Sequence, residues 1–203
     1  MSNEPQSTTA HSEKMARIKA AKDKIYSSKT IQKGLVAVHT GKGKGKSTAA
    51  FGLVMRCLGH DLKVGVVQFI KGRRQTGERA VLARFPELCE VKVMGEGFTW
   101  ETQDRERDIA AARAAWQEAL RMMADPEMHL VLLDELNVVL RYDYLPISEV
   151  IAALQSKRDM LHVIITGRNA KPELVELADL VTEMTEIKHP FRQGIKGQLG
   201  IEY

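Results

Sequence analysis

The residues from Thr40 to Ser47, reading TGKGKGKS, carry the clearest chemistry in this chain. Gly41, Gly43 and Gly45 alternate with Lys42, Lys44 and Lys46. Glycine backbone turns where other residues are strained, so N–H groups curl inward around an anion and phosphate oxygens approach without meeting a Cβ. Lys46 in such a loop pairs with a phosphate as a point charge, and Ser47 offers its hydroxyl to a magnesium ion. Thr48 leads into a helical run whose N-terminal end adds the positive end of its dipole. The general pattern GxxxxGK[ST] has glycine where this chain has Thr40. A lysine–glycine surface loop is the plain alternative, but an apolar run before the loop and a helical run after it favour a nucleotide polyphosphate.

A second set of residues follows the other apolar runs. Asp134 and Glu135 end the run HLVLL, where a carboxylate binds the magnesium of a phosphate loop or one of its waters. The alternative is a helix N-cap with an acidic first turn. Lys71 and Arg168 follow two further runs and bring positive charge to the same rim, unless each is a solvated loop cation. Glu78 either reaches a ribose or nucleobase or is an ordinary first-turn acid. Phe98 and Trp100, two apart in GFTWE, face one side of an extended segment. They form either a flat apolar platform beside the nucleotide or a plug closing the sheet edge.

These residues need a frame. From Gly34 onward, β-branched runs alternate with helical patterns, which predicts an α/β fold with a mostly parallel sheet and helices on both faces. The expected strands are Leu35–His39, Lys63–Ile70, Cys89–Met94, His129–Leu133, Leu161–Thr166 and a weaker Leu180–Met184. Expected helices are Lys46–Leu58, Glu78–Phe85 and Gln103–Ala124, the last stopped by Asp125-Pro126. In such sheets ligands sit beyond the carboxyl ends of the strands, where all the residues above fall. Residues 1–30 read as a separate flexible segment: SNEPQSTTAHS is disordered by composition, and Met15, Ile18, Ala21 and Ile25 then form a thin apolar helical stripe. Residues 31–203 form the α/β domain.

The 203 residues suit one sizeable core, and 44% hydrophobic with 28% charged is an ordinary globular balance. A net charge of +4 is mildly basic, and the loop lysines account for part of it. Two cysteines, Cys57 and Cys89, in no metal-ligand spacing imply no disulfide framework and a reducing compartment. No apolar run reaches the ~18 residues of a membrane span. The expected location is the cytoplasm.

Together, TGKGKGKSTAAFG, VGVVQFIKG, GFTWETQ, VLLDELN, YDYLP, VIITGRN and KGQLGIEY resemble the P-loop branch of the ATP:corrinoid adenosyltransferases, in order from about Gly34 to Tyr203. The usual loop of that family reads TGNGKGKTT; here Lys42 replaces Asn, Ser47 replaces Thr, and Thr40 agrees with the family's variant. The resemblance implies a P-loop NTPase-like, RecA-type domain. Its implied reaction moves the 5′-deoxyadenosyl group of ATP onto the cobalt(I) of a corrinoid and releases triphosphate, with magnesium or manganese as the metal. It implies nucleotide binding by residues 40–48, Lys71, Glu78 and Arg168, in the reverse sense to ordinary P-loop enzymes. Ser47, Asp134 and Glu135 are the implied metal residues. Phe98 and Trp100 become the corrinoid-binding pair, displacing the lower axial ligand so that cobalt(II) is more easily reduced, and with Lys46 they are the implied catalytic residues. A homodimer, an N-terminal lid helix over the partner's corrinoid site, and an electron-donating flavoprotein such as flavodoxin are also implied.

Two rival readings use the same residues. A P-loop kinase or ATPase would use Lys46, Ser47 and Asp134 for phosphoryl transfer, with Glu135 and Arg168 in the base and finger roles. A nucleotide-dependent nucleic-acid module would explain the basic charge, but aromatics are not interleaved with basic residues along a sheet face, so neither nucleic acid nor membrane is an expected partner.

Overall fold

The computed structural model describes the backbone of residues 5–70, 76–94 and 104–202, with side chains from residue 9 onward. The chain divides into two compact units, Met1–Gln32 and Lys33–Tyr203.

The first unit holds helix α1, Pro5–Ser27. Composition predicts disorder over the opening residues, yet the helix already begins at Pro5. Proline is well tolerated in a first helical turn, where its missing N–H has no intrahelical partner, and the alanine- and lysine-rich residues behind it propagate the helix. Met15, Ile18 and Ile25 are all exposed along it.

The second unit is built on six parallel strands: β1 Val36–Thr40, β2 Val64–Gln68, β3 Cys89–Val93, β4 Leu130–Asp134, β5 His162–Thr166 and β6 Leu180–Glu183, in the spatial order β3-β2-β4-β5-β1-β6. Every described pairing is parallel, where the sequence promised only a mostly parallel sheet. The strand carrying the phosphate loop is therefore separated from β4 by β5. Crossover helices are α2 Lys46–Leu58, α3 Gly77–Leu82, α4 Arg105–Ala124, α5 Leu136–Arg141, α6 Ile147–Gln155 and α7 Pro172–Leu177. A 3-10 turn follows at Pro190–Gln193. The periodicity of residues 136–155 did not reveal α5 and α6, because each is short and their apolar residues run together.

Side chains alternate across the sheet with the strand period of two. Val36, Val38, Val131 and Leu133 face α4, α5, α6 and α7, with Trp116 and Met122 fully buried among them. Ala37, Leu130, Leu132 and Ile164 face α2 and α3, against Ala50, Phe51, Val54 and Leu82. Both faces of β4 are covered, which is why that strand is apolar without alternation. The edge strand β6 is exposed along its length. Because all strands run the same way, Thr40, Gln68, Asp134 and Thr166 end along one edge.

Candidate active site

The phosphate loop is built from alternately buried and exposed residues: Gly41, Gly43 and Lys46 are buried, Lys42 and Lys44 exposed. Gly41 and Gly45 have φ of 95° and 105°, the left-handed region that glycine supplies at no steric cost. A Cβ at Gly41 or Gly43 would stand 2.4 Å or 2.7 Å from the Met184 carbonyl oxygen. Two of the three glycines thus admit the chain leaving β6, rather than a phosphate oxygen. The Gly43 N–H donates to that Met184 oxygen at 2.7 Å, so it braces the loop instead of pointing at a ligand. Gly45 is the N-cap of α2 and makes no side-chain bond to the helix start. The first-turn amides of α2 have no intrahelical partner, and their residues Lys46, Ser47 and Thr48 line a cleft, as an anion site requires.

Lys46 Nζ donates to the Gly43 carbonyl at 2.5 Å. Burial holds its ammonium below the usual lysine range; Glu135 opposes that shift, while Arg168 and Lys44 add to it. A polyphosphate arriving there would relieve the clustered positive charge. His39 is buried behind the loop with Nδ1 3.3 Å from the Lys46 carbonyl, a contact in which the ring nitrogen must donate.

Asp134 is fully buried and knits the strand ends together. Its Oδ1 accepts from Ser47 Oγ and from Thr166 Oγ1, each at 2.8 Å, and its Oδ2 accepts from Gln68 Nε2 at 2.9 Å. These contacts follow from register: Gln68 lies opposite Asp134 on β2, and β5 delivers Thr166 on the other side. Glu135 has φ of 65° and occupies the N-cap position of α5 without a side-chain cap bond. Its N–H donates to Thr166 Oγ1 at 2.9 Å. Glu135 thus holds the N-cap position of the alternative reading, but its side chain makes no cap bond and no acid follows in the first turn.

The loop residues Gly43 to Thr48 line a cleft of about 800 Å³ together with Glu78, Glu135 and Arg168. Ile70, Val138 and Tyr142 add an apolar wall, and Gly200 to Glu202 close one side. Glu202 pairs with Lys44. Glu78 is also in the first turn of α3, so its two sequence readings describe the same position. Thr40, Gly41 and Lys42 do not line the cleft. Lys71, Phe98 and Trp100 lie outside the described residues.

The family model described as ATP:corrinoid adenosyltransferase BtuR/CobO/CobP matches residues 32–203. The chain belongs to the ATP:corrinoid adenosyltransferase family. It is 52% identical to the corrinoid adenosyltransferase of Pseudomonas aeruginosa over 203 residues, the full length of both chains. It is 54% identical to that of a Sinorhizobium species over 195 residues, covering 95% of this chain and 91% of the other. With the Escherichia coli K12 corrinoid adenosyltransferase it shares 48% identity over 193 residues, 95% of this chain and 97% of that one.

Several residues that support or line this adenosyltransferase's cleft carry weak or no sequence signals. Gln68 and Thr166 end their strands in polar side chains after apolar runs, a signal that was available. Tyr142, Arg141 and the last residues carry no local pattern that would place them there. The Tyr142 ring stacks on Tyr144 with centroids 5.7 Å apart, and the Arg141 guanidinium lies 5.5 Å from its centre.

Proposed function

We propose that this adenosyltransferase holds the triphosphate of ATP in the Gly43–Thr48 cradle and directs the 5′ carbon of the nucleoside toward a corrinoid. The family's reaction transfers the adenosyl group of ATP to the cobalt of the corrinoid. The cobalt(I) electron pair attacks the 5′ carbon, the bond from that carbon to the ester oxygen breaks, and its electrons leave with triphosphate. No proton moves, so no general base is needed. The chain must bind, orient and stabilise an anionic leaving group. Lys46, Arg168 and the α2 amides are suited to that task. The observation carrying this reading is the bond from Ser47, which lines the cleft with Lys46, Glu135 and Arg168, to the buried Asp134 behind it.

A hydroxyl beside two carboxylates is a hard-oxygen set, which fits magnesium or manganese bound mainly through phosphate and water. Among the described residues no group of three or more His, Cys, Asp or Glu could hold a metal ion alone, in keeping with a nucleotide-borne cation. Ser47 and Glu135 would hold it and Asp134 would orient Ser47; the ion would neutralise charge on the departing triphosphate. Glu78 would hydrogen-bond the ribose or base, with Ile70, Val138 and Tyr142 as the apolar wall. Lys71 would add a further cation at the rim. Of the remaining predicted nucleotide residues, Gly41 would shape the loop against Met184, and Lys42 lies outside the cleft lining.

Phe98 and Trp100 would pack beneath the corrin ring, displace the lower axial ligand and favour four-coordinate cobalt(II), which is easier to reduce. A homodimer in which α1 covers the partner's corrinoid site, an electron-donating flavoprotein such as flavodoxin, and a cytoplasmic location complete the reading. Free Cys57 and Cys89 suit a reducing compartment, and among the described residues no helix is long and apolar enough to cross a membrane.

The test is incubation with ATP, magnesium and chemically reduced cobalamin. A light-sensitive cobalt–carbon product with one triphosphate released per turnover is expected. ADP and phosphate in its place would support phosphoryl transfer instead. F98A/W100A should slow adenosylation of cobalt(II) corrinoids strongly while sparing ATP affinity; parallel loss of ATP binding would favour the plug reading.

A further inference from the structure

Arg168 sits on a sharply bent loop. Gly167 before it has φ of 124° and Asn169 after it φ of 57°, so both flanking residues have positive φ. Such a loop has no regular hydrogen-bonding of its own to set its direction, and its tethers must do so. The described residues provide three. Asn137 Nδ2 donates to the Gly167 carbonyl at 2.9 Å, Lys171 Nζ to Asp143 Oδ1 at 2.5 Å, and the Ala170 N–H to Thr40 Oγ1 at 3.1 Å. The first two reach the α5 region. Only the third joins the Arg168 loop to the phosphate loop, two residues past Arg168 itself. Thr40 is also held by its backbone, whose carbonyl accepts from the Met184 N–H at 2.9 Å.

We propose that Thr40 is a positioning residue for Arg168: its hydroxyl oxygen, instead of meeting ATP, locks the Arg168 loop to the phosphate cradle. The first glycine of the general loop pattern has no oxygen with which to make this bond. Thr40 therefore fits the reaction through a neighbour, which explains a side chain at a position that lies outside the cleft lining. Arg168 and Lys46 are near enough for each to feel the other's charge. Fixing Arg168 against the cradle sets how both cations meet one polyphosphate. The inference rests on the reading that Arg168 contacts the triphosphate.

The test is a double-mutant cycle on the full-length enzyme, with kcat and KM for ATP measured in the adenosylation assay and ATP–magnesium affinity measured directly. T40V keeps the shape and removes the acceptor. It should raise KM for ATP by about three- to tenfold, the effect of one neutral hydrogen bond, with a smaller change in kcat. T40S should restore most of the affinity. In T40V/R168A the loss should equal that of R168A alone. If T40V multiplies the R168A defect in full, or if T40V leaves KM unchanged while R168A raises it, the inference is overturned and the Arg168 reading stands. If R168A leaves ATP affinity and KM unchanged, both fall. Should T40V melt well below the parent, T40A and T40S carry the same comparison, because serine alone retains the oxygen.

Discussion

Ser47 Oγ donates to Asp134 Oδ1 at 2.8 Å, joining the first turn of α2 to the end of a strand two places away in the sheet. The same carboxylate oxygen takes the Thr166 hydroxyl. An asparagine at 134 would replace one acceptor with a donor and remove the charge that favours a cation. D134N should lower kcat/KM by about ten- to a hundredfold, the range for a hydrogen bond to a charged group, and raise the magnesium concentration for half-activity. Activity titrated against magnesium, beside circular dichroism of the folded variant, checks this.

Lys46 is buried, with burial and the charges of Arg168 and Lys44 disfavouring its ammonium and Glu135 favouring it. K46A should cost about a hundredfold in kcat/KM, comparable to deleting one donor from an oxyanion site. K46R should recover little, since a planar guanidinium does not replace a compact ammonium in a tight loop. Steady-state kinetics at saturating corrinoid distinguishes these outcomes.

Glu202 lines the cleft beside the phosphate loop and pairs with Lys44. E202Q should release Lys44 for the nucleotide and tighten ATP by about two- to fivefold, the scale of a partly exposed pair. The gain should shrink as salt is raised. Calorimetric titration of ATP into both proteins, at low and high salt, measures it.

At the opposite end of the sheet, His162 Nδ1 accepts the Leu35 N–H at 3.1 Å and needs a neutral ring to do so. Burial, His129 and Lys157 hold its pKa below the ordinary value of 6.5. The unfolded chain takes up this proton before the folded one. Stability from this group is therefore present above pH about 6.5 and declines as pH falls through and below that value. H162Q keeps an acceptor without a titrating ring, so its urea midpoint should fall less between pH 7 and pH 5 than that of the parent.

Much of this was legible because the runs that form the central strands are largely apolar, and every expected strand lies within a residue or two of its observed ends. Lys46–Leu58 was read to the residue, since glycine and the first turn mark its start. What could not be read were relationships set by strand order. Nothing local says that β5 enters between β1 and β4, so the Thr166–Asp134 bond had no sequence signature. Nor did the loop reveal that Gly41 and Gly43 are small for the sake of Met184. Thr40 looked like a substituted ligand, whereas its hydroxyl faces the Ala170 amide. Phe98 and Trp100 are known here by motif alone.

Strand β1 has β5 and β6 as its described sheet neighbours, and the Val36 N–H donates to an Asp179 carboxylate 143 residues downstream. Met184 then props the Gly43 amide, and residues 200–202 wall the cleft. Contacts this distant in sequence slow folding. Eight consecutive letters thus spell the glycine loop, yet its shape is on loan from chain more than a hundred residues away.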